Sequence, residues 1–251
     1  MTIKEDIVEQ PDTPFSNIER FSLWTPQDAS IGQYYKRTEI DSSEYSNHMI
    51  LIGGCSGTGK TTIVNELVNL NGAKVINSGN LLCQVAGVAD NQRKEFFKGD
   101  MRLYEDKSFQ LLIDQISNHA SSPLIYDTHF TITSETLRAI NEPWIPGMRI
   151  DLRQRLSVEL DQRGIGLSVV LIEAGTVDEL MERKQGDNSK KRSKPRELVE
   201  EEYIMTRNYA REYAVEFSNS EIPINLAYYV NKNSESMPQT IADEIQRVLI
   251  G

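Results

Sequence analysis

The amino-acid sequence predicts a three-layer α/β domain, a parallel sheet of five strands with helices on both faces, preceded by an acidic N-terminal segment. Three observations lead there. From residue 49 onward, short apolar runs alternate with longer amphipathic stretches, as in successive βα units. A glycine-rich loop stands at the junction of the first apolar run and a helical stretch. Of 251 residues, 39% are hydrophobic and 25% charged, which suits one large domain or two small ones and excludes collagen, coiled coil and wholesale disorder.

Residues 1–48 form a separate extension. They hold nine acidic against four basic side chains and three Pro, with no sustained helical or strand period, and read as an extended or partly ordered lead-in. Phe15, Phe21, Trp24, Tyr34 and Tyr35 are costly to leave in water, so part of residues 15–36 is expected to pack on the main domain or on another copy of it. The domain proper, residues 49–251, reads as five strands over 49–52, 74–77, 124–127, 167–173 and 224–230. Helical spacing falls at 61–70, 101–118 (apolar positions Leu103, Phe109, Leu112, Ile113 and Ile116), 151–163, 197–217 and 237–249.

The formal charge is -10, so nothing in the whole-chain field draws the protein to nucleic acid or an anionic membrane, and an anionic ligand has to be captured locally. No apolar run approaches the roughly 18–20 residues of a membrane span, and the N-terminus (MTIKEDIVEQ) is charged where a signal peptide is apolar, so a cytoplasmic protein is expected. Cys55 and Cys83 make no disulfide framework, and two thiols with three His supply no metal cluster. His48 and His119 read as surface residues.

The run Gly54-Cys55-Ser56-Gly57-Thr58-Gly59-Lys60-Thr61 fits G-x-x-x-x-G-K-[ST], the Walker A pattern, directly after the strand MILI and before the helix TTIVNELVNL. Glycines let such a loop wrap so that successive backbone N–H groups face one anion, and the following helix adds the positive end of its dipole. Lys60 is expected to reach the β and γ phosphates of ATP, and the Thr61 hydroxyl to ligate Mg²⁺ with Thr62 as a possible helper. This chemistry also needs a carboxylate at a neighbouring strand end, to hold the metal or its water, and Asp127 closing Leu124-Ile-Tyr-Asp supplies it. Asp also caps strands for local reasons. His129 fits a structural histidine and a substrate contact equally.

A guanine-reading N/T-K-x-D sequence is missing, since Asn231-Lys-Asn-Ser lacks the Asp, and a protein kinase has a different phosphate loop. A small-molecule or nucleotide kinase needs instead an acceptor site and a mobile basic segment. Residues 183–196, with Arg183, Lys190 and Arg192 and broken by Gly and Pro, look like that lid, whose closing stabilises the migrating charge and excludes water.

Together these features resemble the archaeal-type adenylate kinases, a branch of the nucleoside monophosphate kinases. The resemblance covers roughly the last 200 residues. It rests on the phosphate loop, Asn77-Ser78-Gly79-Asn80-Leu-Leu, Ala89-Asp-Asn-Gln-Arg93-Lys, Asp127-Thr-His-Phe-Thr-Ile, Ile145-Pro-Gly, the lid and Ile204-Met-Thr-Arg207. It implies the sheet order 2-3-1-4-5, ATP with Mg²⁺ as donor and an AMP-type acceptor over the second and third strands. Arg93 is implied to hold the acceptor phosphate, with Asn77, Ser78 and Asn80 offering hydrogen bonds and Gly79 a close turn. Arg183, Lys190, Arg192 and Arg207 are implied to clamp the transferring group. The sequence departs from the family at Asn80, where Asp is usual, and at Thr133 and Gly186, where basic residues are usual. Arg138 or Arg149 can replace that charge. The expected activity is ATP + AMP to two ADP, with catalysis by Lys60, Asp127 and the basic arms. A different small-molecule acceptor and a nucleotide-sensing module are the alternatives. Relatives of this type are commonly trimers, so a homo-oligomer is possible.

Overall fold

The computed structural model describes residues 32–36, 47–119, 123–186, 195–218, 220, 222, 224–231 and 237–247. Strand β1 (Gly32–Lys36) is followed by β2 (Asn47–Gly53), α1 (Lys60–Asn71), β3 (Lys74–Asn77), α2 (Ser78–Ala86), α3 (Arg93–Phe96), α4 (Glu105–Asn118) and β4 (Leu124–Asp127). Then come β5 (Thr131–Ile132), α5 (Glu135–Ala139), β6 (Ile145–Pro146), α6 (Ile150–Asp161), β7 (Ile165–Ala174), α7 (Val177–Gly186), α8 (Arg196–Ser218), β8 (Ile224–Asn231) and α9 (Met237–Ile245).

The main sheet runs β1-β8-β7-β2-β4-β3. Its five expected strands are all parallel and stand in the implied order, with β2 between β4 and β7. Chain direction along the sheet therefore reverses at β2, which opens a crevice beyond its carboxyl end. Successive residues of β2 point to opposite faces. Met49 and Leu51 pack with Phe109 and Leu112 of α4, Leu156 of α6 and Tyr213 and Phe217 of α8. Ile50 and Ile52 pack with Ile63 and Leu67 of α1 and Ile241 of α9. Cover on both faces explains why the strands read as unbroken apolar runs, and all of β7 is buried.

Three expectations are corrected. The N-terminal segment packs on the main domain over part of residues 15–36, as expected, but does so as a strand, which was not expected: β1 lies antiparallel on β8, Gly32 opposite Tyr229 and Lys36 opposite Asn225. Five residues flanked by polar sequence are too few to show a period. The helix expected over 101–118 begins as a 3₁₀ turn, Met101–Tyr104, which Asp100 caps by accepting the Arg102 N–H, and this turns Leu103 out to solvent at 77% exposure. His48 is not a surface residue either, because β2 is central and its ring sits 2.6 Å from the Ser168 hydroxyl on β7. Lys190 and Arg192, like most of the N-terminal segment, lie outside the described residues. No helix among the described residues is long and apolar enough to cross a membrane.

Candidate active site

The loop between β2 and α1 sits at the crevice. Two glycines are there for space. A Cβ on Gly54 would lie 2.0 Å from the Ile172 carbonyl oxygen of β7, and one on Gly59, whose φ is 84°, would lie 2.4 Å from the Asn231 amide. That amide donates to the Thr58 carbonyl at 2.7 Å, while the buried Thr58 hydroxyl donates to Cys55 at 3.0 Å. Lys60, buried at the start of α1, donates to the carbonyls of Gly54 (2.7 Å) and Cys55 (3.2 Å). Thr61 and Thr62 follow it, both exposed. The cradle is thus too narrow for side chains and has one ammonium folded into it, which fits a polyphosphate tail.

Helices α7 and α8 brace this loop. Arg183 donates to the Thr58 carbonyl (3.3 Å) and the Asn231 carbonyl (2.5 Å), and burial pulls its pKa below the ordinary guanidinium value despite the opposing charge of Glu179. Next to it, buried Lys184 donates to Oε2 of buried Glu202 at 2.9 Å, and the other Glu202 oxygen accepts the Ser56 backbone N–H at 3.1 Å. Cys55 packs with Ala174, Leu180 and Val199 and donates to the Thr206 hydroxyl at 3.2 Å. Burial, reinforced by the Glu202 charge, pushes its thiol up to about 12, so it is unreactive packing. Arg207, one turn beyond Tyr203, binds Glu173 at the end of β7 with both Nε (2.8 Å) and Nη2 (2.6 Å), and Tyr228 donates to the same carboxylate at 2.7 Å. Burial opposes the Arg207 charge, but the Glu173 carboxylate outweighs it and raises the pKa.

Across the crevice, Asp127 ends β4 beside Ile52 of β2 and Asn77 of β3. A chain of contacts starts from it. Asn77 donates to Asp127 (2.8 Å) and accepts from the Asn80 N–H (3.0 Å), capping α2, while Asn80 accepts from Arg93 (2.6 Å). A Cβ on Gly79 would lie 2.8 Å from the Arg93 guanidinium, so glycine there lets Arg93 approach, with its other side 5.5 Å from the Phe97 ring centre. Ser78 is half-buried at the first position of α2, and His129 is exposed two residues past Asp127. Arg138 donates to the Thr133 hydroxyl at 3.2 Å and so brings a guanidinium to that position. Arg149 is instead held by Glu105 (3.3 Å), Asp106 (3.0 Å) and Asp151 (3.1 Å).

The loop, Asp127, Asn77, Asn80 and Arg93 therefore gather on one crevice, with Arg183 and Arg207 on its other wall. Lys184, Glu202, Glu173 and Asn231 escaped the sequence reading as site residues. Lys184 was hidden in a basic run and Glu202 in a run of three Glu, while Asn231 carried a signal only through the incomplete base-reading motif.

A family model described as an AAA domain matches residues 53–202. An adenylate kinase of Thermoplasma volcanium is 30% identical over 206 residues, which cover 79% of this chain and 98% of that protein. A solved shikimate kinase from Bacteroides thetaiotaomicron superposes with a TM-score of 0.50 at 10% identity, covering 81% of this chain and 99% of that one, a likeness of fold alone. Shikimate kinase from Acinetobacter baumannii, solved with shikimate, has a TM-score of 0.46 at 17% identity and covers 82% and 93%.

Proposed function

The chain belongs to the AAA-domain family of P-loop kinases, and from that premise we propose that it transfers the γ-phosphoryl group of ATP to a nucleoside monophosphate, most simply AMP, giving two ADP. The observation that carries this reading is the relay Asp127–Asn77–Asn80–Arg93, which runs from the strand beside the phosphate loop to a guanidinium held by a neutral amide. Arg93 keeps its full charge toward a dianionic monoester, because among the described residues no carboxylate pairs with it. Asn80 fixes its direction.

Lys60 and the loop amides bind the donor phosphates, and Thr61 and Asp127 would hold Mg²⁺, which would supply charge neutralisation to those phosphates. Arg93 and Asn80 orient the acceptor phosphate. One of its oxygens, already deprotonated at neutral pH, forms the new bond to the γ-phosphorus as the bond to the bridging oxygen breaks and ADP leaves. No general base and no covalent enzyme intermediate are needed, so positioning and charge do the catalysis. Arg183, Arg207 and the lid residues Lys190 and Arg192 would balance the three anionic oxygens in flight.

The test is ADP production measured across a panel of nucleoside monophosphates and hydroxyl-bearing metabolites. AMP is expected to stimulate it most. Arg93→Ala should raise KM for the monophosphate about tenfold or more and leave KM for ATP within about twofold, whereas Lys60→Ala should lower turnover about 10²–10³-fold. Stimulation by a metabolite and by no monophosphate would overturn the acceptor assignment.

A further inference from the structure

Lys184 and Glu202 belong neither to the loop motif nor to the acceptor relay, yet both are buried against the loop, with side-chain exposures of 2% and 8%. The Glu202 carboxylate accepts the Ser56 N–H at 3.1 Å and the Lys184 ammonium at 2.9 Å. Its backbone carbonyl lies 3.6 Å from the Cys55 sulfur, and the Lys184 stem lies over Gly57, where an added Cβ would meet its Cγ at 3.2 Å. A carboxylate oxygen on a loop amide is the chemical equivalent of a phosphate oxygen there, an anionic acceptor facing a backbone donor at the mouth of a helix.

We propose that Lys184 is a second phosphate-binding lysine of this loop and that Glu202 is an internal anion with which the donor's phosphates exchange places. The proposal rests on the reading of the loop as the ATP site. On binding, a phosphate oxygen takes over the Ser56 N–H and becomes the counter-charge of Lys184, and the Glu202 carboxylate gives up both contacts. A buried ion pair suits such an exchange, since most of its Coulomb attraction is offset by desolvation and another anion can replace the first at modest net cost. Lys184 neighbours Arg183 on α7, so both basic residues that this helix sets against the loop lie side by side in sequence.

Calorimetric titration of the full chain with pyrophosphate and with ATP tests this. In Glu202→Gln the amide can still accept the Ser56 N–H while Lys184 keeps an unbalanced charge, so both ligands should bind about tenfold tighter. Lys184→Gln should bind them about tenfold more weakly. The double variant should return to within about threefold of the parent. Pyrophosphate affinity unchanged or weakened in a folded Glu202→Gln would make Glu202 a fixed brace of the loop and overturn the proposal. If that variant does not fold, Lys184→Gln decides alone, unchanged affinity being the adverse result. Lys60→Ala, titrated alongside, separates the two readings. If it retains pyrophosphate binding, the loop is not the donor site. If it loses binding while Glu202→Gln behaves as the parent, only the exchange is wrong.

Discussion

Glu105 opens α4 with its side chain buried, and beyond an ion-pair contact with Arg149 at 3.3 Å neither carboxylate oxygen has a hydrogen-bond partner among the described residues. Burial raises its pKa to about 7, against the lowering influence of Arg149 and with help from Asp106 and Asp151. The group keeps its proton in the folded chain up to that point and loses it in the unfolded chain near 4.5, so the folded state binds more protons between these values. The resulting loss of stability is absent below pH 4.5, grows as pH rises toward 7 and is complete above it, up to about 3 kcal/mol. Glu105→Gln should therefore melt close to the parent at pH 4.5 and clearly above it at pH 8, as thermal unfolding at the two pH values would record. Nothing in the sequence marks this residue. Glu105 and Asp106 are adjacent acids at a helix start that both reach Arg149, and only the turn of the 3₁₀ segment before them buries one and leaves the other exposed. The loop glycines and Lys60 were legible for the opposite reason, because local spacing alone fixes their job.

The long helix α8 shows what an element adds to its residues. Positions 202 and 206 lie one turn apart and meet Ser56 and Cys55, and positions 203 and 207, also one turn apart, meet Glu173 or its neighbour Ala174. Farther on, Tyr213 and Phe217 enter the core. Helical spacing announced the element to within a residue at each end, but not which polar face would press on the loop, since a run such as Glu200-Glu201-Glu202 reads as solvated all round. The short β5–β6 hairpin was invisible to periodicity, having two residues per strand. Phe130 fastens it to the rest. Its ring is fully buried, packs edge-on against Tyr213 at 5.1 Å, and fills the space that a Cβ on Gly53 would need. Phe130→Ala should cost about 3–5 kcal/mol in chemical denaturation and, by loosening the floor under Gly53, should lower turnover as well.

Across the whole molecule, the parallel core was readable because βα alternation leaves one handed way to connect it. The sixth strand was not, because its pairing with β8 joins segments far apart in sequence and no local pattern records such a contact. Removing residues 1–46 would bare the edge of β8, whose Leu226 and Tyr228 are buried. Such a truncation should melt below a chain that begins just before Gly32 and should sediment as larger, concentration-dependent species; equal melting and sedimentation of the two would count against a structural part for β1. The same pairing bears on how the protein is made. Gly32 leaves the ribosome long before Tyr229, its partner, so closing this ladder has to wait until the whole parallel core between them has been made. Asn231, the clasp on Thr58 and Gly59, ends that same strand. A nascent chain that stops short of β8 thus holds its lysine and glycines but lacks the part that sets their shape, and competence to grip a nucleotide is withheld until that strand has been made.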